Sequence, residues 1–227
     1  MTTRASWLPE VLARAGCSVV TLPGWEAAGR DVAGFYAVVA HHTATGPKAT
    51  DQAVANLLRN GRSDLPGPLS QLGLDRHGRY WLIAAGRCNH NGLGLHGNNA
   101  LGIEAYNDGV GEPWPTVQVD AYVRGAAAIL DHLGLPTSRF LGHRETDPTR
   151  KSDPRGLDMN RLRQRVDAHR QQEDDMTPEQ AQWLGRIHHE LVAEQQSVRE
   201  LVAQTRMESA ATQQKLDRLI AAVEGGE

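Results

Sequence analysis

The hydrophobic pattern changes repeatedly between short apolar runs and the three-to-four-residue spacing of amphipathic helices. A continuous apolar run predicts a strand buried on both faces over 35–40, and alternation of apolar with small or polar residues predicts another over 101–105. Helical spacing is clearest over 116–133, where Thr116 is a candidate N-cap and Gly134 follows the end. Further helices are predicted over 7–15, over 50–59 and from Asp158 through Val166, with strands over 17–20 and 139–142 and a hairpin of 69–74 with 79–84.

These elements together predict a mixed central β-sheet flanked by helices, an α/β (α+β) domain. The glycines and prolines that form loops become rare after residue 171, and the polar run 171–175 follows directly. We therefore expect a catalytic domain over 1–171 and a helical tail over 172–227.

The tail has one long helical pattern, from Thr177 to Val223. Thr177-Pro178 is a good helix start, and apolar residues at a 3–4 spacing follow, interrupted at Glu194 and again between Thr205 and Thr212. A helix of this length needs a packing partner. The alternatives are another copy of the chain, a hairpin bent near 205–212, docking on the main domain, or a frayed helix. We expect a coiled coil that makes a homo-oligomer, or else a tail that targets the cell wall.

Composition narrows the class of protein. The chain has 227 residues, 40% hydrophobic and 22% charged, which indicates a globular protein. Residues 172–227 hold 5 basic and 11 acidic residues (net -6), and residues 1–171 hold 19 and 16 (net +3). No basic run is dense enough to predict nucleic-acid binding. No apolar stretch is long enough for membrane insertion. The first residues lack the apolar core of a signal peptide, so we expect synthesis in the cytoplasm.

Histidines stand at the ends of two predicted strands. His41-His42 ends the strand over 35–40, and His143 ends the strand over 139–142. The segment that follows is rich in charged residues around two prolines, and it carries Asp153. Two imidazoles and a carboxylate form a zinc site with an open fourth position, as catalytic zinc sites have. The alternative is that these histidines are hydrogen-bonded loop residues.

Three segments together make a resemblance specific: 39–45 (VAHHTAT), 101–104 (LGIE) and 142–154 (GHRETDPTRKSDP). They resemble the zinc-dependent N-acetylmuramoyl-L-alanine amidases of type 2, whose superfamily includes the peptidoglycan recognition proteins. Segments 64–69 and 84–90 make endolysins of actinobacteria-infecting bacteriophages the nearest likeness. The resemblance covers about residues 5–170.

The resemblance implies roles for five residues. His41, His143 and Asp153 match the zinc ligands. Glu104 matches the general base, and Lys151 matches the cation that polarises the scissile carbonyl. Amide hydrolysis needs such a nucleophile source, oxyanion stabiliser and proton shuttle.

The sequence departs from the family at one position. Some members place a tyrosine near the zinc on the hairpin strand, where this chain has Leu69-Ser70-Gln71. Either Ser70 supplies a weaker hydrogen bond, or Glu104 carries the proton transfer alone. Further candidate substrate contacts are His90, Asn107, Arg62 and Trp114; a surface-loop histidine is the alternative for His90.

The resemblance therefore predicts a peptidoglycan hydrolase that cuts between N-acetylmuramic acid and the L-alanine of the stem peptide. As a phage endolysin it would reach the bacterial cell wall after holin-mediated release and cause cytolysis. One alternative is a cytosolic amidase that recycles anhydromuramyl peptides, and another is a non-catalytic peptidoglycan-binding module. Met176 precedes the tail helix and is a candidate internal start that would yield a free tail fragment.

Overall fold

The computed structural model describes residues 3–174 and the separate positions 186–187, 190, 194, 201–202, 204–205, 208–210, 212–215 and 217. The chain divides into two units, Met1–Asp175 and Met176–Glu227. In the first, the helices are α1 (Leu8–Arg14), α2 (Asp51–Asn60), α3 (Thr116–His132), α4 (His143–Thr146) and α5 (Met159–Asp174). The strands are β1 (Val19–Thr21), β2 (Val38–His42), β3 (Gly61–Arg62), β4 (Leu65–Pro66), β5 (Leu72–Leu74), β6 (Tyr80–Leu82), β7 (Leu101–Ala105) and β8 (Phe140–Gly142).

A mixed six-stranded sheet organises this unit, in the order β1-β6-β5-β7-β2-β8. Only the β5–β6 pair is antiparallel, and the other neighbours in the sheet run parallel. Helices cover both faces: α1, α3 and α5 contribute to one buried apolar cluster, and α2 contributes to another. Successive side chains of β6 point to opposite faces of the sheet: Tyr80 and Leu82 join the first cluster, and Trp81 joins the second. The predicted mixed sheet flanked by helices is confirmed.

Local signals explain the element ends. Thr50 caps α2 through its hydroxyl, which accepts from the Ala53 N–H at 3.2 Å. Asp158 caps α5 in the same way, and its carboxylate accepts from the Asn160 and Arg161 N–H groups. The prediction of Thr116 as an N-cap is wrong, because α3 begins at Thr116 and the capping position belongs to Pro115.

Strand β2 lies further along the chain than its apolar run predicts. The predicted strand covered 35–40, whereas the ladder covers Val38–His42. Tyr36 is half exposed, and its N–H donates to the Asn99 carbonyl rather than to the strands beside β2. The ladder continues through His41 and His42 because β7 pairs with both of them. The histidines therefore lie within the sheet and not after it.

The tail is described only at separate positions, which are helical and mostly exposed. Leu201, for example, has 64% of its surface exposed. The predicted helix start Thr177-Pro178, the candidate start Met176 and most apolar seam positions lie outside the described residues. No helix in the described part of the chain is long and apolar enough to span a membrane.

Gly125 tests the packing of α3 on the sheet. A Cβ at this position would clash with the Tyr80 hydroxyl, which donates to the Ala121 carbonyl at 2.9 Å. Alanine favours helices over glycine by about 1 kcal/mol, but overpacking a core costs about 1–3 kcal/mol. We expect Gly125→Ala to lower the free energy of unfolding, measured by urea denaturation. Gly46→Ala is the control, since its Cβ would meet no atom within 4 Å. Equal or higher stability of Gly125→Ala would contradict the packing.

Candidate metal and catalytic site

Parallel pairing of β2 with β7 begins the site. The register places His41 directly opposite Glu104, so both side chains leave the same face of the sheet. That face is opposite α3, because Ala40 and Ile103 contribute to the cluster that α3 covers. Tyr122 of α3 joins the two strands from behind: its hydroxyl accepts from the His41 N–H at 3.0 Å and donates to the Ile103 carbonyl at 2.8 Å.

His143 reaches the site from the other neighbour of β2. Strand β8 ends at Gly142, and α4 begins directly with His143, which is buried. The N-terminus of α4 is held by Glu145, whose carboxylate accepts from the Gly142 N–H at 2.8 Å and pairs with Arg163 of α5. The short helix returns the chain so that Asp153 approaches both histidines.

Asp153 is the point where the side chains converge. Its Oδ2 lies 3.0 Å from Nδ1 of His41 and 3.1 Å from Nδ1 of His143. The ligand atoms of the three residues all lie within 4.8 Å of one another. Tetrahedral donors about 2.0–2.2 Å from a zinc ion stand roughly 3.3–3.6 Å apart, and the observed separations of 3.0 Å and 3.1 Å are close to that spacing. The three residues could hold one metal ion.

The charge states suit a cation. Burial lowers the pKa of His41 to about 4, so its ring is neutral, as a metal ligand must be. Burial alone would raise the pKa of Asp153, but the imidazoles of His143 and His41 beside it outweigh burial and keep that pKa below the ordinary value. The carboxylate is therefore ionised.

Glu104 stands beside this cluster. Its Oε1 lies 4.0 Å from Nδ1 of His41, and its buried Oε2 has no hydrogen-bond partner within the described residues. Burial first, and then the charge of Asp153, raises the pKa of Glu104 to about 8. A carboxyl group whose pKa lies near neutrality is present in both its ionised and its protonated form, so it can take a proton and return it.

A cleft of about 340 Å³ opens over these groups. Lys151 lines it together with the cluster, and Arg62 lies on it from β3, paired with Asp64. Arg155 and His42 also line the cleft, although no sequence motif assigns either of them a role. The Arg155 N–H donates to Nδ1 of His42 at 3.2 Å.

Three of the other candidate substrate residues, Ser70, Asn107 and Trp114, lie outside the cleft. The Ser70 hydroxyl donates to the Leu72 carbonyl at 2.9 Å and is fully buried. Asn107 is also buried, and its Oδ1 accepts from the Gly109 N–H at 2.9 Å. The Trp114 indole donates to the Arg155 carbonyl at 2.9 Å and lines a separate cavity of about 450 Å³. His90 is at the cleft floor but only 8% exposed, with its ring against His41.

Fold and site together define the class, a mixed α/β domain whose cleft holds a His-His-Asp cluster able to bind a metal. A family model described as N-acetylmuramoyl-L-alanine amidase matches residues 33–156, which include every residue of this cluster. The chain belongs to the N-acetylmuramoyl-L-alanine amidase family.

Solved structures share the fold. The Staphylococcus aureus hydrolase AmiA in complex with its ligand is 13% identical, covers 73% of this chain and 90% of its own, and has a TM-score of 0.52. The catalytic domain of XlyA is 16% identical, covers 66% and 99%, and has a TM-score of 0.51. A selenomethionine derivative of AmpD is 18% identical, covers 67% and 95%, and has a TM-score of 0.50. No curated protein gives a significant sequence match.

Removal of the shared carboxylate should abolish metal binding. Asp153→Asn replaces the anionic donor between the two histidines by a weaker neutral one. We expect the wild-type chain to bind one divalent ion and the variant to lose at least tenfold in affinity, measured by calorimetric zinc titration. Asp120→Asn is the control, because Asp120 pairs with Arg165 on the surface. Equal zinc affinity of Asp153→Asn and the wild type would overturn the ligand assignment.

Proposed function

We propose that this protein is a zinc-dependent peptidoglycan hydrolase that cleaves the amide bond between N-acetylmuramic acid and L-alanine. The observation that carries the proposal is the convergence of Asp153 on His41 and His143, with Glu104 beside them in an open cleft. Membership of the N-acetylmuramoyl-L-alanine amidase family supports the same bond as the target. Phage endolysin is the role that the sequence resemblance favours.

His41, His143 and Asp153 would hold the zinc ion. Three protein ligands leave a fourth coordination position open, as in catalytic sites. When bound there, Zn²⁺ supplies Lewis acidity and lowers the pKa of a coordinated water to about 7. Two nitrogen donors and one oxygen donor suit zinc, and both cysteines are buried apart from the cluster, so no sulfur ligand competes within the described residues.

Glu104 is placed to move the proton. Its carboxylate faces the cleft from the strand next to His41, where an attacking water and the scissile amide would meet. It would take a proton from the water and deliver it to the amine of L-alanine as that group leaves. Its pKa of about 8 lies near neutrality, where such a shuttle works best.

Lys151 supplies a cation on the same cleft, two residues before Asp153. We assign it to the carbonyl oxygen, which gains negative charge in the tetrahedral transition state. Arg62 would bind an anionic or carbonyl group of the substrate from the β3 side. Ser70 offers its hydroxyl proton to Leu72, which favours Glu104 as the group that carries the proton transfer alone.

The variant Glu104→Gln tests proton transfer by Glu104, because it should leave folding and metal binding unchanged. The amide keeps the shape of the carboxyl group but cannot accept the proton. We expect kcat for release of L-alanine amino groups from walls to fall about 10²–10⁴-fold, with zinc content unchanged. Glu26→Gln, at an exposed position, is the control and should keep full activity. A Glu104→Gln enzyme with wild-type kcat would disprove the role of Glu104 as the base.

The endolysin role competes with two others. A recycling amidase would prefer soluble anhydromuramyl peptides, whereas a lysin must cut intact sacculi. A peptidoglycan-binding module would bind walls and release no new amino groups. The complete His-His-Asp cluster favours a catalytic protein over such a module. We expect turnover of sacculi with new amino groups on L-alanine. Strong preference for the soluble fragments would instead assign the protein to recycling.

We also propose that residues 1–171 form the catalytic domain and that the tail 172–227 makes a homo-oligomer. Linked copies would bind a polymeric substrate with avidity. Light scattering should give a multiple of the chain mass for the full chain and a single mass after deletion of residues 176–227. If both have the monomeric mass, the tail does not drive assembly. As an endolysin, the protein would act on the cell wall after release by a holin.

A further inference from the structure

His90 is fixed in position by its surroundings. Its backbone N–H donates to Oδ1 of Asn98 at 3.1 Å, and Asn98 accepts from the next two N–H groups of the same loop as well. The imidazole lies against the backbone of Gly102 in β7. A Cβ at Gly102 would come within 2.9 Å of Cγ and Nδ1 of that ring. The absence of a side chain at Gly102 thus leaves the space that the His90 ring occupies.

Hydrogen bonds determine which nitrogen of His90 carries its proton. Nε2 lies 2.9 Å from the carbonyl oxygen of Ala100, which can only accept, so Nε2 must donate. The ring is buried, and its hydrogen-bond partners within the described residues are the Ala100 carbonyl and the His41 imidazole, so no carboxylate stabilises a second proton and the ring is neutral. Nδ1 of His90 is then an acceptor.

The position of the proton on His90 determines the position of the proton on His41, the proposed metal ligand. Nδ1 of His90 lies 3.0 Å from Nε2 of His41, and an acceptor there requires Nε2 of His41 to donate. In the neutral ring, the form of histidine that binds a metal, the lone pair of His41 is then on Nδ1, the atom that faces Asp153 at 3.0 Å. Two acceptors at this distance repel each other unless a cation lies between them.

We propose that His90 is a positioning residue that uses the Ala100 carbonyl to hold His41 in the Nε2–H tautomer and so presents its Nδ1 lone pair to the metal. The inference rests on the proposed metal site. Metal-ligating histidines usually donate their second N–H to an oxygen acceptor, and such partners raise metal affinity 10–100-fold. Here a second histidine takes that place. Without it, Nδ1 of His41 could carry the proton and donate to Asp153, which would close the site to a cation.

A matched pair of variants isolates the acceptor. In His90→Asn the amide oxygen reaches the place of the histidine Nδ1, so the bond from His41 is kept while the link to Ala100 is lost. His90→Leu has a similar branched shape and no acceptor. His77→Leu, at an exposed turn histidine, controls for the loss of an imidazole. Circular dichroism and thermal unfolding of the full-length variants check that each chain is folded.

The first readout is the His41 tautomer in chelator-treated, metal-free full-length protein, from two-bond ¹H–¹⁵N NMR correlations. We expect the Nε2–H form in the wild type and in His90→Asn, and the Nδ1–H form or a mixture in His90→Leu. Because the readout needs no metal, it tests the inference even if the proposed zinc site fails. A wild-type His41 in the Nδ1–H form, or one unchanged in His90→Leu, would overturn the proposal.

The second readout is zinc affinity by competition with a chelating dye. We expect His90→Leu to bind zinc 10–100-fold more weakly, His90→Asn to recover most of that loss, and His77→Leu to equal the wild type. Equal losses in His90→Leu and His90→Asn would show that His90 only fills space, against the proposal. If the wild-type chain binds no zinc, the proposed function fails while the tautomer result still decides the role of His90.

Should His90→Leu not fold, Gly102→Ala provides the same test by displacement. Its added methyl group would push the His90 ring from its place while leaving both histidines in the chain. We expect the His41 tautomer to become mixed and zinc affinity to fall at least tenfold. If the His90 ring is displaced and the His41 tautomer does not change, His90 does not hold that tautomer and the proposal is wrong.

Discussion

The parallel pairing of β2 between β7 and β8 is the constraint on which the site depends. It places His41 opposite Glu104 on one side and ends β8 at Gly142, next to His143, on the other. The three side chains come from segments far apart in the chain, and the register alone brings them to one end of the sheet. A shift of one residue in β2 would turn His41 to the opposite face, towards α3. Tyr122 bonds to the backbones of His41 and Ile103 and so fixes that register.

Burial and the neighbouring groups together give these residues their chemical states. The same low-dielectric surroundings that keep His41 neutral also raise the pKa of Glu104 to about 8, whereas Asp153 stays ionised because the two imidazoles beside it keep its pKa low. The site therefore joins two imidazole donors, one anionic oxygen donor and a carboxyl group that can exchange its proton. The donor set favours a divalent cation, and the exchangeable proton favours hydrolysis.

Sequence alone predicted much of this arrangement. The mixed sheet followed from apolar runs, and the cluster His41, His143 and Asp153 followed from histidines at strand ends together with a recognised motif. The sequence placed the end of β2 at residue 40 because the next two residues, His41 and His42, are polar. A hydrophobic pattern does not show that the β-ladder continues through them. The link from Ala100 through His90 to His41 depends on a contact between loop and strand, and no local pattern encodes it. Similarly, Arg155 enters the cleft only because the chain turns after Asp153.

The proposed hydrolysis depends on one zinc ion bound by two imidazole nitrogens and one carboxylate oxygen. X-ray absorption at the zinc edge of the purified full-length protein measures that ligand set. We expect one zinc ion per chain with a shell of about four nitrogen and oxygen donors at about 2.0–2.2 Å and an imidazole signature from two histidines. A shell containing sulfur at about 2.3 Å, or protein that takes up no zinc, would contradict it.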